Sequence, residues 1–277
     1  MDKMVPYPSG AIVPERDVDK RPVLETHHLG IDFGGLTAVD EFSLTVGKTE
    51  IAGLIGPNGA GKTTVFNLLT NVYQPSRGSI ILDGKSTAGK TTSQVNRMGI
   101  ARTFQNIRLF SNMSVLDNVK VGLHNSIKEG FFASVTHGFG YKKAEKTANE
   151  RAIELLDFFS MADVANEEAG SLPYGAQRRL EIVRALATNP SIILLDEPAA
   201  GMNPQETAEL TSFIAKIRDE FKLTILLIEH HMDLVMDISD RIYVLDFGKL
   251  IASGTPEEVQ NNPKVIEAYL GVSDENA

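Results

Sequence analysis

The apolar residues of the chain fall into short runs and helical spacings that alternate along most of its length. Continuous or alternating apolar runs predict strands at residues 23–31, 42–46, 50–55, 79–82, 100–104, 192–196, 223–229 and 241–245. Apolar residues three and four positions apart predict helices at residues 62–72, 142–159, 175–187, 204–221 and 232–238. Because strands and helices alternate after residue 190, the pattern predicts a parallel sheet with crossover helices.

The two ends and the middle of the chain depart from this alternation. Four prolines among charged residues predict a leader at residues 1–22 that is disordered or draped over the surface. Residues 106–188 have a mainly helical pattern and are predicted to form a helical subdomain. We therefore place the core domain at residues 23–255 and a short helical tail at residues 256–277.

The composition narrows the classes of partner. The 277-residue chain has a formal net charge of -9, so we expect no nucleic-acid partner and no non-specific binding to an anionic membrane surface. It has no cysteine, which excludes disulfides and thiol nucleophiles. Its longest apolar runs are strand-length, far below the ~20 residues of a membrane-spanning helix. With no apolar signal segment near the N-terminus, these features predict a cytosolic protein.

A glycine-rich loop lies between a predicted strand and a predicted helix. Its sequence is Gly56-Pro57-Asn58-Gly59-Ala60-Gly61-Lys62-Thr63-Thr64, which matches the phosphate-binding pattern G-x-x-x-x-G-K-[ST]. Such glycines let backbone N–H groups approach phosphate oxygens, and the following helix offers its positive end. We expect Lys62 to reach the β- and γ-phosphates and the Thr63 hydroxyl to bind Mg²⁺. The alternative is a glycine-rich turn without a ligand, and the loop alone does not separate kinases, GTPases, motor ATPases and transporter ATPases.

Two acidic residues, Asp196 and Glu197, end the apolar run that begins at residue 192. A strand buried on both faces can deliver Asp196 to the Mg²⁺ site, usually through water. Glu197 then lies beyond the strand end, where it can hold the attacking water and accept its proton. The alternative is a pair of solvated carboxylates before Pro198, but the phosphate loop upstream favours the first interpretation. A general base directly after the Mg²⁺ ligand also favours water as the acceptor of the phosphoryl group. This disfavours a P-loop kinase, which transfers the group to a small molecule.

Further motifs resemble those of an ABC transporter ATPase subunit. In that family's order the chain carries Phe33, Ala38, Gln105 in the segment Arg102-Thr103-Phe104-Gln105-Asn106, the segment Leu172-Pro173-Tyr174-Gly175-Ala176-Gln177, Asn203 and His230. The resemblance implies that Phe33 and Ala38 contact adenine, although Phe33 also suits strand-end packing. It implies that Gln105 contacts Mg²⁺ and water, whereas by itself it would be an ordinary surface glutamine. His230 is then expected to hold the γ-phosphate and the water, beside Glu197 as the base.

The segment at residues 172–177 resembles the ABC signature, which serves ATP bound to the opposite subunit, and Asn203 resembles the D-loop residue that is more often aspartate. Serine and glycine are common where this chain has Pro173 and Tyr174. Proline offers a phosphate neither a hydroxyl nor an N–H group. Because the signature serves the ATP of the opposite subunit, Pro173 puts in doubt the nucleotide site on the partner, not the one on this chain. The residues from Tyr174 to Ile182, with residues 33–39 and 262–271, resemble importer subunits for branched-chain amino acids. Urea and short-amide importers and a lipopolysaccharide exporter subunit are also similar.

This resemblance implies an α/β fold in which a P-loop NTPase (RecA-like) core carries a helical subdomain and an antiparallel β part. It implies ATP and Mg²⁺ as ligands and hydrolysis between two such subunits, identical or different. The other implied partners are transmembrane permease subunits and, indirectly, a solute-binding protein. We expect an importer of branched-chain amino acids or related small solutes, peripheral on the inner face of the cell membrane. The alternatives are an exporter or a urea or amide importer; an ABC ATPase that acts on DNA or ribosomes is disfavoured because tandem cassettes and a long coiled-coil insertion are lacking.

Two features stay open at this point. The segment at residues 125–141 carries Phe131, Phe132, Phe139 and Tyr141 among glycines. Such a patch suits docking to a membrane subunit, whereas local packing of a long loop is the alternative. His230 and His231 are adjacent, so in an extended segment they point in opposite directions and cannot chelate one ion. We expect His231 at the surface.

Overall fold

The computed structural model describes residues 17–123 and 139–270, and it describes side chains at residues 21–123 and 145–270. The strands are β1 (Asp17–Phe33), β2 (Leu36–Lys48), β3 (Ile51–Ile55), β4 (Arg77–Leu82), β5 (Lys85–Ser86), β6 (Ile100–Arg102), β7 (Ile192–Asp196), β8 (Thr224–Ile228), β9 (Arg241–Asp246) and β10 (Lys249–Gly254). The helices are α1 (Lys62–Leu69), α2 (Thr92–Met98), α3 (Val115–Leu123), α4 (Phe139–Phe158), α5 (Tyr174–Leu186), α6 (Pro204–Phe221), α7 (Met232–Ile238), α8 (Pro256–Gln260) and α9 (Pro263–Leu270).

One sheet is antiparallel, with the order β2-β1-β4-β5. Its strand β1 begins at Asp17, so residues 17–22 belong to the sheet and the predicted leader boundary at residue 22 is wrong. Asp17 and Pro22 pair with Lys48 and Gly47 at the end of β2. The apolar pattern missed these residues because main-chain pairing needs no apolar side chain, and most of them are charged. The rest of the predicted leader lies outside the described residues.

The other sheet has the order β10-β9-β3-β8-β7-β6, and the strands from β9 to β6 are parallel. Every residue of β3, β7 and β8 is buried, as continuous apolar runs predict for strands that are covered on both faces. On β7, Ile193 and Leu195 pack into the core shared with the helical part. Ile192 and Leu194 pack on the opposite side, in the core shared with α1 and the antiparallel sheet. This sheet is therefore the middle layer of the molecule.

The helical part follows β6 and is built from α3, α4 and α5. Helix α3 contacts both α4 and α5, and buried Val119, Ala152 and Leu180 belong to one continuous core cluster. The Ser114 hydroxyl accepts a hydrogen bond from the Asp117 N–H group at 3.0 Å and so caps α3. The layers match the predicted core with a helical subdomain and an antiparallel β part. The side chains of the predicted aromatic segment at residues 125–141 lie outside the described residues.

Three elements were not predicted from the apolar pattern. Helix α2 buries only Val95, but it begins with a capping box between Thr91 and Gln94, a signal that the sequence does contain. Strand β5 has two exposed residues, and β10 is mostly half-exposed, so neither produces a clear alternation. Across the described ranges, no helix is long and apolar enough to cross a membrane.

Candidate functional site

The predicted site residues follow the ends of neighbouring parallel strands. β3 leads into the loop at residues 56–61, β6 is followed by Gln105, β7 ends at Asp196, and β8 is followed by His230. In the sheet, β8 lies between β3 and β7, and β6 lies beside β7. Because the carboxyl ends of parallel strands meet at one edge of the sheet, the fold gathers these residues where open α/β sheets bind ligands.

The phosphate loop has the backbone geometry that glycine permits. Gly56 has a φ of 151°, and a Cβ atom there would lie 2.0 Å from the carbonyl oxygen of Leu245. Gly61 has a φ of 103°, and a Cβ atom there would lie 2.9 Å from the carbonyl oxygen of Ala38. Helix α1 begins directly after Gly61 without a side-chain cap, which leaves its first N–H groups for an anion.

The Lys62 side chain is buried inside this loop. Its Nζ donates hydrogen bonds to the carbonyl oxygens of Gly56 at 2.6 Å and Pro57 at 2.9 Å. Burial lowers the pKa of Lys62, and the nearby Glu197 carboxylate partly opposes this effect. An ammonium has three hydrogens, so one donor is left after these two bonds. Of the other predicted loop positions Ala60 is buried, whereas the following are exposed or half-buried: Pro57, Asn58, Gly59, Thr63 and Thr64.

Three predicted catalytic side chains meet at Glu197. Its Oε2 accepts a hydrogen bond from Gln105 Nε2 at 2.7 Å, and its Oε1 lies 2.8 Å from His230 Nε2. The backbone of Glu197 is left-handed, with a φ of 46°, and its N–H group donates to the carbonyl oxygen of Ile228 at 2.9 Å. A non-glycine residue in this region is strained, and such strain is common at functional sites.

Asp196 is buried, and Arg102 holds it through an ion pair. Arg102 Nη2 lies 2.7 Å from Asp196 Oδ2, and Nη1 donates to Asn67 Oδ1 at 2.7 Å. The guanidinium also lies 5.5 Å from the ring centre of Phe66 and 5.0 Å from that of Phe104. The pair occupies one carboxylate oxygen of Asp196 and leaves Oδ1 for another ligand. Arg102 was not predicted as a site residue, although it is the first residue of the segment that carries Gln105.

Phe33 lies at the end of β1, and the residue is 43% exposed. Its ring packs edge-on against Tyr73, with 5.2 Å between the ring centres. Tyr73, which was not predicted, follows α1 and offers a second half-exposed ring. The predicted partner Ala38 is half-buried, and its carbonyl oxygen lies against Gly61. Ala38 therefore lies beside the glycine-rich loop, and an adenine contact of Phe33 or Ala38 stays a prediction.

The signature segment starts helix α5 and is bonded within its own chain. Pro173 is the N-cap residue, so the helix begins one residue later, at Tyr174. The Tyr174 hydroxyl donates to the carbonyl oxygen of Ala200 at 2.9 Å, and Gln177 Nε2 donates to the carbonyl oxygen of Leu172 at 2.7 Å. The remaining predicted signature residues, Gly175 and Ala176, line a small cleft against the start of α6.

Asn203 and His231 have local partners. Asn203 caps α6, because its Oδ1 accepts from the Glu206 N–H group at 3.0 Å and Glu206 Oε2 accepts from the Asn203 N–H group at 3.0 Å. His231 has a 45% exposed side chain, in line with the predicted surface position, but its Nδ1 lies 3.0 Å from Oε2 of the buried Glu229.

Arg178 connects the signature helix to the loop that carries Gln105. Its side chain is fully buried and donates to the carbonyl oxygens of Phe104 and Gln105, each at 2.6 Å. Its Nη1 also lies 2.8 Å from Oε2 of Glu181, which is equally buried. Glu181 Oε1 in turn accepts from the Arg108 N–H group at 3.0 Å. This network, which was not predicted from the sequence, holds the two ends of the Gln105 loop against α5.

A protein-family model described as ABC transporter matches residues 39–200. The chain belongs to the ABC transporter family. A second model, described as branched-chain amino acid ATP-binding cassette transporter, matches residues 249–275. The chain is 50% identical over 251 residues to the high-affinity branched-chain amino acid transport ATP-binding protein LivG of Salmonella typhimurium, a match that covers 91% of this chain and 98% of that protein. It is 48% identical over 251 residues to the corresponding protein BraF of Pseudomonas aeruginosa, with the same coverage of both chains.

Solved structures of ABC cassettes share the fold. The ADP conformation of one ATP-binding cassette of an ABC transporter superposes with a TM-score of 0.78 at 32% identity, covering 90% of this chain and 99% of that chain. A nucleotide-free cassette gives a TM-score of 0.77 at 32% identity, covering 90% and 98%. The predicted family, α/β fold class and ATPase activity are thereby confirmed, and this ABC transporter subunit hydrolyses ATP.

We expect Arg178→Met to lower the free energy of unfolding of this ABC subunit by about 3–5 kcal/mol. The change leaves the Glu181 carboxylate buried without its ion-pair partner and removes the donors to Phe104 and Gln105. Urea denaturation measures the difference. Arg179→Met, on the same helix, is the control: its guanidinium is a third exposed and lies 3.4 Å from Glu209, so we expect a loss below about 1 kcal/mol. Equal losses from both changes would contradict the network.

Proposed function

We propose that this chain is the ATP-hydrolysing subunit of an importer that takes up branched-chain amino acids through separate membrane subunits. The observation that carries the proposal is the 50% identity to LivG over 98% of that protein's length. The match of residues 249–275 to the branched-chain amino acid cassette model supports the same solute class, because it lies outside the match to the general family model. In this proposal the subunit is peripheral on the inner face of the cell membrane, held by its permeases.

Glu197 acts as the general base in the proposed reaction. The water oxygen attacks the γ-phosphorus, its proton passes to the Glu197 carboxylate, and the bond to the β–γ bridging oxygen breaks as ADP leaves. The contacts of Glu197 with Gln105 and His230 support this role, because they fix both carboxylate oxygens beside two groups able to hydrogen-bond the water. His230 also contacts the γ-phosphate. Lys62 offers its third N–H to the β- and γ-phosphates.

The residues proposed to hold Mg²⁺ have the donor chemistry that this ion prefers. They are the Thr63 hydroxyl, the Gln105 amide oxygen and the Asp196 carboxylate, all oxygen ligands. Arg102 fixes one oxygen of Asp196 and leaves the other for the ion or its water. Within the described residues, no cluster of three or more histidine, cysteine or acidic side chains forms a metal cage. This fits an ion that binds mainly through substrate phosphates, whose charge it neutralises.

We propose that two ATPase subunits close on ATP, with the segment at residues 172–177 facing the nucleotide of the opposite subunit. The isolated chain is then expected to be monomeric without nucleotide, because its net charge of -9 disfavours self-association. In a Glu197→Gln background, ATP with Mg²⁺ is expected to double the mass. Light scattering with and without ATP measures this. The same mass in both samples would count against closure of two copies, and a mixture with a second cassette protein from the same membranes would then test a heterodimer.

The proposed function is tested by purifying the tagged chain from membranes and identifying what is retained. We expect permease subunits with several membrane-spanning helices, and we expect leucine with its solute-binding protein to raise the ATPase activity of the complex. Retention of exporter components, or stimulation by urea or short amides but not by leucine, would overturn the assignment of the solute.

A further inference from the structure

Glu229 is a buried carboxylate directly after β8, and its side chain is 1% exposed. Its Oε1 accepts a hydrogen bond from the N–H group of Ala199 at 2.7 Å. Its Oε2 accepts from the N–H groups of His230 at 2.9 Å and His231 at 3.2 Å, and lies 3.0 Å from His231 Nδ1. One carboxylate therefore joins the segment after β7 to the segment after β8.

The Glu229 carboxylate has hydrogen-bond partners at both oxygens, but removing it from water costs free energy. A buried charge is tolerated only when hydrogen bonds replace its water, and here four nitrogen atoms surround it. Buried ionic groups contribute little to net stability compared with well-packed apolar residues. The position of Glu229, between two segments that carry predicted catalytic residues, points to a positional role.

The two segments need to be held, because one of them is strained. Ala199 lies two residues after Glu197, whose left-handed backbone costs about 1–3 kcal/mol and persists only if neighbouring contacts fix it. The bond from the Ala199 N–H group to Glu229 is one such contact, and the bond from the Glu197 N–H group to Ile228 is another. Glu229 also bonds the backbone of His230, whose ring lies 2.8 Å from Glu197.

We propose that Glu229 is a positioning residue for ATP hydrolysis: it fixes the separation between the proposed base Glu197 and His230 by bonding both of their backbone segments. This inference rests on the proposed roles of Glu197 and His230. Glu229 itself does not contact ATP, and its effect comes only through the alignment of the two side chains. The half-exposed His231 adds a third contact to Oε2 of this carboxylate, with its Nδ1 at 3.0 Å.

The test is Glu229→Gln, which keeps the shape of the side chain but replaces one acceptor oxygen with an amide that cannot accept. The new NH2 group then faces either the N–H group of Ala199 or the N–H groups of His230 and His231, so two donors meet without an acceptor. We expect kcat for ATP hydrolysis to fall about 10- to 100-fold, as a misalignment near 1 Å does, with KM and the Kd for ATP within threefold. If the glutamine variant does not fold, Glu229→Asp carries the test, with an expected fall in kcat of about 3- to 10-fold.

Glu50→Gln is the matched control. Glu50 is also a fully buried glutamate, and its Oε2 accepts from the Gly47 N–H group at 2.5 Å. It precedes β3, so it lies at the amino ends of the parallel strands, whereas the candidate site lies at their carboxyl ends. Its change is expected to lower stability while kcat stays within twofold. Parallel losses of kcat and stability in both variants would mean that Glu229 is merely structural, and unchanged kcat in a folded Glu229 variant would also overturn the proposal.

A second comparison separates this inference from the proposed function. In single-turnover experiments on a Glu197→Gln, His230→Ala background, Glu229→Gln is expected to add less than a twofold loss, because the residue acts through those two side chains. Additive losses would overturn the inference and leave the role of Glu197 intact. If Glu197→Gln alone retained full turnover, the proposed role of Glu197 would fail first, whatever Glu229→Gln does.

Discussion

Glu197→Gln is expected to lower kcat for ATP hydrolysis by about 100- to 10,000-fold, the contribution of a positioned general base. Glutamine has the shape of glutamate, so the contact of residue 197 with Gln105 can persist, but its amide cannot accept the proton of the attacking water. Lys62 and the phosphate loop are untouched. The Kd for ATP should therefore stay within threefold of the parent value. Steady-state release of phosphate and calorimetric titration with ATP measure the two quantities.

Glu154→Gln is the control for this change. Glu154 is exposed on α4, so the same loss of a negative charge should leave kcat unchanged. Turnover of Glu197→Gln within twofold of the parent would exclude Glu197 as the base. The contacts of Glu197 with Gln105 and His230 would then have only a structural role. A fall in turnover together with a large rise in the Kd for ATP would instead point to a damaged nucleotide site.

Lys62→Ala is expected to weaken ATP binding by at least about 100-fold, close to 3 kcal/mol. The ammonium group lies inside the loop, where the carbonyl oxygens of Gly56 and Pro57 direct it. A charge-assisted hydrogen bond to phosphate from such a buried and oriented group is stronger than an exposed one. Alanine also leaves both carbonyl oxygens without this donor, so the empty loop is expected to lose order.

Calorimetry with ATP and Mg²⁺ measures the affinity, and Lys85→Ala serves as the control. Lys85 lies exposed on β5 in the antiparallel sheet, so its removal lowers the positive charge by the same amount without touching the loop. Unchanged affinity in Lys62→Ala would refute the assignment of residues 56–64 as the phosphate site.

Much of the site was predictable because its residues follow buried strands. The apolar runs of β3, β7 and β8 mark strands covered on both faces, and parallel strands deliver whatever follows them to one edge. The spacing of Gly56, Gly61 and Lys62 has a local physical cause, which the positive φ values of the two glycines make visible. These signals are local in sequence, and periodicity and motif spacing capture them.

The charged residues that support the site were not predictable in this way. Arg102, Arg178 and Glu229 are buried through bonds to residues far away in the sequence or on another element. Sequence alone suggests a solvated surface for arginine and glutamate, which are rarely buried unless paired. Only the direct continuation of Glu229 from the fully buried β8 offers a hint. The polar start of β1 was missed for a related reason, since backbone pairing leaves no apolar pattern.

The most direct test of the account is the uptake of labelled leucine by proteoliposomes that contain this subunit with its permeases and solute-binding protein. ATP and Mg²⁺ are supplied on the side of this subunit, and leucine is supplied on the other side. We predict that leucine accumulates on the ATP side. We also predict that this accumulation stops when a non-hydrolysable ATP analogue or the Glu197→Gln variant is used. Hydrolysis of ATP without movement of leucine, or movement of solute away from the ATP side, would contradict the account.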